Sequence, residues 1–331
     1  MIDYRTDFFE KVDNFKKLDS VDSVMVKQAR VQGLVTIAIP TFKRSKLLKE
    51  AVDSAFNQRT DYQYSIVVVD NNPERSDDTE ILMSSYHQSN LAYYKNAINV
   101  GMGGNWNKCI SIATTKWVIL LHDDDVLYPN FIDTVVPILM KHPSIGILKP
   151  SNSFSYSPHN VVGEPKLHRV IPLDFYYGNV IGVPSGIVMS REKLLNAGGF
   201  NQDFYPSLDY CFFVYFAGRY SIYTIGCDLS YYRVSENASM NVDVMKGWMN
   251  NDSLLIRRLL QRYYFNPFII NAFLFRRTSH KYKELQQCWH KKFSFSIMDI
   301  GIKPVPQWVG FFASAVIRLS SLIYKLFAKK I

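Results

Sequence analysis

The sequence predicts an α/β protein with a mostly parallel central sheet and helices on both faces. Val35–Ile39, Ser65–Val69 and Trp117–Leu121 are continuous apolar runs free of turn residues, the pattern of strands buried on both faces. Helical spacing recurs between them, so that strand and helix alternate four times, which argues for parallel strands joined by crossover helices. The last of these runs leads through His122 into Asp123-Asp124-Asp125. In an open α/β sheet, ligands bind beyond the carboxyl ends of the strands. Three adjacent carboxylates repel one another and are costly to desolvate without a cation.

At 331 residues the chain can hold one large domain or two. Its 47% apolar and 20% charged residues are globular values and exclude a disordered chain. Cys109, Cys211, Cys227 and Cys288 have no CxxC spacing, which disfavours a zinc site or a disulfide framework and suits a reducing compartment. Residues 1–17 mix charges and aromatics with no apolar h-region, so no signal peptide is expected. The net charge of +9 is lopsided: residues 241–331 hold 15 Lys and Arg against 4 Asp and Glu, and residues 1–240 sum to −2. That asymmetry implies an anionic partner for the tail, either membrane or nucleic acid.

Taken in order, residues 1–33 are expected to form one or two short amphipathic helices ending at Gly33. Val35–Ile39 is the first strand, stopped by Pro40-Thr41. Ser45 is expected to cap a helix that presents Leu48, Val52, Ala55 and Phe56. Ser65–Val69 is the second strand, ending in Asp70-Asn71-Asn72-Pro73, and Leu91–Tyr94 is a short third. Asn99 to Asn107 is glycine-rich and reads as a loop into a helix with Cys109, Ile110 and Ala113. Trp117–Leu121 is the fourth strand, and a helix starts near Pro129. Thr41, Asp70 and Asp123–Asp125 thus end three strands and would converge on one crevice. The glycine-rich stretch is not the dinucleotide fingerprint, because Trp106 stands where a third glycine is needed, and there is no Walker A sequence.

Val35–Phe42, Val67–Asn71, Asn99–Asn107, Leu121–Asp125 with Pro129, and Gly198-Gly199-Phe200 followed by Phe204–Tyr210 resemble, in order and spacing, the motifs of the family 2 glycosyltransferases, an inverting group with the GT-A fold. The resemblance covers about residues 33–240. It implies a catalytic domain over 34–240, divided into a nucleotide-sugar-binding half (34–128) and an acceptor-binding half (129–240). Residues 1–33 then precede it, and 241–331 form a helical basic extension.

The resemblance implies that Thr41 and Asp70 hold the nucleotide base, with Pro40 and Phe42 shaping the pocket. A strand-end carboxylate can accept from a base N–H and a hydroxyl can bond a carbonyl edge; the plainer reading of Asp70 is an Asx turn before Pro73. Arg44 would reach a phosphate or stay solvated, and Asn99, Gly101 and Asn105 would line the sugar or pyrophosphate side. The acidic motif would bind Mn²⁺ or Mg²⁺, cations that take oxygen ligands and share them with substrate phosphates. Asp124 is the first-choice ligand, with Asp125 assisting and Asp123 nearer the ribose. Many members have Asp where His122 stands, so the register of the aspartate-any-aspartate motif is ambiguous, and His122 reads as a packing and hydrogen-bonding residue. The plainer reading of the triplet is a solvated turn or helix caps.

Asp209 is the implied general base, since a sugar hydroxyl is a poor nucleophile and a carboxylate in reach must take its proton. The family usually has Glu-Asp here; this chain has Leu208-Asp209, so a supporting carboxylate is gone. Asp203 is the fallback, and a helix cap is the plainer reading of Asp209. Arg233 would contact the diphosphate late in the cycle or lie at the surface. By the same resemblance the donor is a nucleoside-diphosphate sugar, UDP-sugar favoured. The acceptor is a hydroxyl of a glycan or lipid-linked glycan, as in bacterial surface-polysaccharide (O-antigen or capsule) synthesis.

The tail reads as helices, one with Trp248, Leu254, Leu255, Leu259 and Leu260, another over Phe268–Phe275, with a boundary at Pro304 and Pro306. In 308–331, Ser314, Arg318, Ser321, Lys325 and Lys329 recur at helical steps and form a narrow polar stripe. Spanning a bilayer would place Arg318 near its middle at a cost of roughly 2.5–3.5 kcal/mol. An in-plane helix is therefore expected, giving a cytoplasmic protein peripheral at the inner face of the cell membrane. Packing onto the domain or onto a second subunit of a homo-oligomer is the alternative. Nucleic acid is not expected, because no recognised binding module accompanies the charge. Two rival readings stay open. A nucleotidyltransferase would usually place a glycine- and basic-rich phosphate loop where Pro40–Arg44 stand, and Asp209 argues against a non-catalytic nucleotide-sugar or glycan-binding protein.

Overall fold

The computed structural model describes residues 7–29, 33–159, 161, 163–234, 241–288 and 293–328. In chain order the first half contains Ser23–Lys27 (β1), Val35–Thr41 (β2), Ser45–Phe56 (α1), Tyr64–Asp70 (β3), Asp78–Ser84 (α2), Leu91–Asn96 (β4), Gly101–Ile112 (α3) and Trp117–Leu120 (β5). Then come Val126–Leu127 (β6), Phe131–Lys141 (α4), Ile147–Ser153 (β7), His168–Val170 (β8), Ile187–Ser190 (β9), Arg191–Ala197 (α5), Leu208–Ala217 (α6) and Ile222–Tyr231 (β10). Three helices follow: Val242–Arg262 (α7), Pro267–Cys288 (α8) and Gln307–Ala328 (α9).

All strands belong to one sheet, ordered β1-β4-β3-β2-β5-β9-β7-β10-β6, with β8 also on β10. β4, β3, β2 and β5 are parallel, as the continuous apolar runs required. Every residue of β2 is buried because both faces are covered. Ile37 and Ile39 pack with Leu48 and Val52 of α1 and Val135 of α4, while Ala38 joins Trp106 and Cys109 of α3 on the other face. Fully burying one such aliphatic side chain contributes about 1.5–3 kcal/mol, and this two-sided core fixes the strand ends in space. Beyond β5 the sheet is mixed: β9 runs antiparallel to β5 and β7, and β10 runs parallel to β7 but antiparallel to β6 and β8.

Several local expectations are corrected. Among the described residues before 33, the main element is a strand, not a helix: β1 pairs antiparallel with β4 at the sheet edge. Its Val24 and Met25 are exposed, so it lacks the one-sided burial that makes an edge strand legible. The strand expected to stop at Pro40 continues to Thr41. Helix α1 starts at Ser45 with Arg44 as its N-cap, and Arg44 makes no side-chain capping bond, so Ser45 is inside the helix. The glycine-rich stretch is helical from Gly101 onward. Gly101 itself has φ +75°, and a Cβ there would stand 2.9 Å from the Gln202 side chain, so this first glycine is required by conformation and close approach.

The basic extension is helical as expected, but it is part of the fold. Leu255, Ile256, Phe273 and Ile317 from α7, α8 and α9 lie in the same core as α3 and α6. On α9, Val309, Ala313, Ile317 and Ser321 are buried, whereas Trp308, Phe311, Phe312, Leu319 and Leu322 are exposed. Ser321 of the supposed polar stripe therefore faces the protein, and the exposed face is the apolar one. Lys329 and the Lys325 side chain lie outside the described residues. Among the described residues no helix is long and apolar enough to cross a membrane.

Candidate active site

β2 is flanked by β3 on one side and β5 on the other, a reversal of strand order that opens a crevice at the carboxyl ends. β5 pairs with β2 only as far as Ala38, while β3 pairs through Thr41. Pro40 lies on the side of β2 where Ala38 still accepts from the Leu121 N–H at 3.0 Å, just past the end of β5. Its missing N–H therefore costs no ladder bond. Across this gap Thr41 Oγ1 donates to Asp123 Oδ2 at 2.7 Å. Lys43 then takes a left-handed φ of 55° and turns the chain into α1. Arg44 Nη1 donates to Asp124 Oδ2 at 2.8 Å and stands 3.6 Å from Asp123 Oδ1.

The acidic loop is held from behind as well. The Arg233 N–H donates to Asp125 Oδ1 at 2.9 Å, Arg233 Nε donates to the Asp124 carbonyl at 3.0 Å, and its guanidinium pairs with Glu50. Arg233, expected at the diphosphate or at the surface, is thus half-buried and braces the loop. Burial pushes Asp123 and Asp125 up to about 6, reinforced in each by the neighbouring Asp124 carboxylate. His122 stacks on Trp106 with ring centroids 5.1 Å apart. Burial lowers it to about 4, so the imidazole is neutral.

The residues present fit a divalent cation. A ring nitrogen of His122 and one carboxylate oxygen each from Asp124 and Asp125 lie within 4.8 Å of one another. His122 Nε2 and Asp125 Oδ2 are buried without a hydrogen-bond partner, which is rare for polar atoms unless a ligand or water completes them. Asp123, expected nearer the ribose though within the acidic motif that would bind the metal, is outside this group, its two oxygens facing Thr41 and Arg44.

In front of the loop lies a cavity of about 680 Å³. Pro40, Thr41, Phe42, Arg44, Asp123 and Asp124 line one side, and Asn99, Gly101 and Asn105 line another. Asn105 is buried and its amide is engaged: Nδ2 donates to the Val69 carbonyl at 3.1 Å, and Oδ1 accepts from Asn96 at 3.0 Å. It shapes the wall from beneath.

Asp70 is not brought to the cavity. It is fully buried, and its carboxylate accepts from Lys95 Nζ at 2.8 Å, Tyr93 OH at 2.9 Å and the Asn72 N–H at 2.9 Å. Lys95 is its register partner on β4, so the sheet itself supplies the counter-ion. Asn71, one residue on, takes the place at the wall.

Asp209 sits in the first turn of α6, half-buried, with Asn179 Nδ2 donating to it at 3.4 Å. Burial pushes it up to about 6. It is not part of the cavity lining, but Tyr205 and Pro206, just before α6, are. Asp203 is exposed, pairs with Lys17 at 3.1 Å and is not a lining residue either. The sequence reading missed the part of the wall formed by Tyr232, Val244, Met245 and Trp248, with Leu285 from α8. Helical spacing around Trp248 was visible, but nothing local shows that this helix folds back over the crevice.

Comparison with known proteins places this geometry. The glycosyl transferase family 2 model matches residues 36–197. A Campylobacter jejuni GalNAc(5)-diNAcBac-PP-undecaprenol beta-1,3-glucosyltransferase is 31% identical over 106 residues, 31% of this chain and 33% of that protein. The chain covers 63% of an uncharacterized glycosyltransferase of Methanocaldococcus jannaschii and 43% of one of Rickettsia felis, both 25% identical, so it spans roughly half the length of such relatives. The fold is that of Staphylococcus aureus TarS residues 1–349 in complex with UDP-GlcNAc (TM-score 0.54, 18% identity, 77% of this chain and 78% of that one). It also matches the Pyrobaculum calidifontis mannosyltransferase PcManGT in complex with GDP-Man and Mn²⁺ (TM-score 0.50, 15% identity, 93% and 85%). The chain thus carries a glycosyl transferase family 2 domain over residues 36–197, on a GT-A fold.

Proposed function

We propose that this protein is a metal-dependent inverting glycosyltransferase that moves a sugar from a UDP-sugar to a hydroxyl of a glycan or lipid-linked glycan in bacterial surface-polysaccharide synthesis. The observation that carries the reading is the Thr41–Asp123 bond across the strand-order reversal, beside Asp124 and in front of a cavity large enough for a nucleotide sugar. The UDP-GlcNAc bound by TarS and the undecaprenol-linked substrate named for the C. jejuni relative support the donor and acceptor classes.

In this reading Thr41 and Phe42 hold the nucleoside, and Asp123 takes the ribose side. Asn99 and Gly101 border the sugar. A Mn²⁺ or Mg²⁺ held by Asp124 and Asp125 would offset the charge of the diphosphate. Asp209 takes the proton of the acceptor hydroxyl as it attacks the anomeric carbon from the face opposite the leaving group, and configuration inverts. A base near 6 is largely ionised at neutral pH yet still basic enough to accept a proton. The wall from α7 and α8 excludes water and receives the acceptor. The exposed apolar face of α9, on a basic extension, supports peripheral contact with an anionic membrane surface.

The test is to incubate the protein with UDP-, GDP- and dTDP-sugars and Mn²⁺ and to assay released nucleoside diphosphate, with and without EDTA, for wild type and Asp124→Ala. Slow EDTA-sensitive hydrolysis of one donor, lost in the variant, is expected. If calorimetry detects no nucleotide binding with metal present, the reading is wrong.

A further inference from the structure

Two buried polar atoms in the acidic loop have no hydrogen-bond partner. Asp125 is 1% exposed, and its Oδ2 makes no hydrogen bond although Oδ1 is paired with the Arg233 N–H. His122 Nε2 is likewise unpartnered, on a ring held in place by its stack on Trp106. The group that clusters within 4.8 Å is His122, Asp124 and Asp125. Asp123 is outside it, held by Thr41, while Arg44 reaches both Asp124 at 2.8 Å and Asp123 at 3.6 Å. A neutral imidazole offers a lone pair at one nitrogen, and carboxylates offer only acceptors. Three convergent acceptors want a cation.

We infer that His122, Asp124 and Asp125 form a mixed nitrogen–oxygen site for a divalent cation, in which His122 is a ligand and Asp123 is not. The inference deepens the donor-binding reading and rests on it for the site's purpose, but its chemistry is separate. An all-oxygen set suits Mg²⁺ as well as Mn²⁺, whereas an imidazole ligand favours first-row transition metals over Mg²⁺. The site should therefore select Mn²⁺ or Co²⁺ over Mg²⁺. The stack on Trp106 would fix the ring's orientation, as the surroundings of metal-bound histidines generally do.

The experiment uses Mn²⁺ as probe on the full chain, with and without UDP. Free Mn²⁺ is followed by electron paramagnetic resonance, and bound Mn²⁺ is examined by electron spin echo modulation for a directly coordinated ¹⁴N. Wild type should show nitrogen coupling. His122→Gln should lose it and weaken Mn²⁺ binding by at least about tenfold. Asp123→Asn should keep the coupling and stay within about threefold of wild-type affinity. His122→Asp should bind Mn²⁺ and gain relative affinity for Mg²⁺. Bound Mn²⁺ without nitrogen coupling in wild type overturns the inference without any variant needing to fold. Unchanged affinity in His122→Gln overturns it too. In both cases UDP binding by calorimetry leaves the transferase reading standing, and only absence of both UDP and Mn²⁺ binding removes the two together.

Discussion

Arg44 Nη1 lies 2.8 Å from Asp124 Oδ2 and 3.6 Å from Asp123 Oδ1, so one guanidinium counters two of the three clustered carboxylates. It stands where a cation entering from the cavity would approach, and it lines that cavity itself. The arginine and a metal therefore compete for Asp124, and a bound diphosphate gives the displaced guanidinium a new partner. Arg44→Gln should tighten Mn²⁺ binding in the absence of nucleotide. A pair this exposed contributes about 0.2–1 kcal/mol, so the gain should be at most about fivefold. The same variant should raise the donor KM. If Mn²⁺ affinity falls instead, Arg44 supports the metal site and does not compete for it.

Asp209 sets the expected pH dependence. Burial pushes it up to about 6, and the base must be ionised to accept a proton. kcat/KM should fall as pH drops through about 6, and Asp209→Asn should remove that limb while lowering kcat by about 10²–10⁴. The stability sign runs the other way. A carboxyl with a raised folded-state pKa favours folding at low pH, and this contribution is lost as pH rises through about 6. Asp209→Asn should thus match wild-type stability near pH 4 and exceed it at pH 8. A Tm gain as large at pH 4 as at pH 8 would show that the carboxylate carries no burial cost.

Lys95 and Asp70 test a correction. Both are almost fully buried, and Lys95 also reaches Asp77 at 3.0 Å. Lys95→Met strands a buried carboxylate and should cost about 3–5 kcal/mol by chemical denaturation, with much of that recovered in the Lys95→Met/Asp70→Asn double variant. The Asp70→Asn protein should bind UDP nearly as wild type does. A large loss of UDP affinity with stability intact would return Asp70 to the nucleotide site.

These residues show which parts of the molecule were legible. Ile37, Val68 and Ile119 sit in strands covered on both faces, so their runs needed no tertiary knowledge to be read. The acidic loop followed from where such a strand ends. Asp70 could not be judged that way, because the same strand-end carboxylate faces a ligand or a lysine depending on the neighbouring strand's register. Trp248 was invisible as a wall residue for a related reason: the spacing within α7 does not show which surface the helix packs over. His122 packs on Trp106 as its place in the sequence suggested, but its unpartnered Nε2 is a property of packing that spacing does not show.

Trp248 and Met245 carry the expectation for the acceptor. They belong to α7 and line the cavity, and neither is among the residues assigned to the nucleotide. Trp248→Ala should therefore leave donor hydrolysis near wild type while raising acceptor KM. An aromatic contact contributes about 0.5–1.5 kcal/mol beyond its buried area, which corresponds to between about twofold and about tenfold. Equal loss of hydrolysis and transfer would place Trp248 at the donor.

The outer face of α9 decides between a membrane and a partner subunit. Trp308 is 73% exposed and Phe312 and Leu319 are each 61% exposed, while Val309, Ala313 and Ile317 hold the helix to the domain. Replacing Trp308, Phe312 and Leu319 by Ser should therefore leave Tm nearly unchanged, because exposed side chains add little to folding. Wild type should cosediment with vesicles containing phosphatidylglycerol, more weakly as salt rises, since basic residues near an anionic surface add about 1 kcal/mol each and are screened within a Debye length. The triple variant should stay in the supernatant. If it cosediments like wild type, α9 is not the membrane contact. If it changes from dimer to monomer in solution, the apolar face is a subunit interface, and the excess charge of the extension serves another surface.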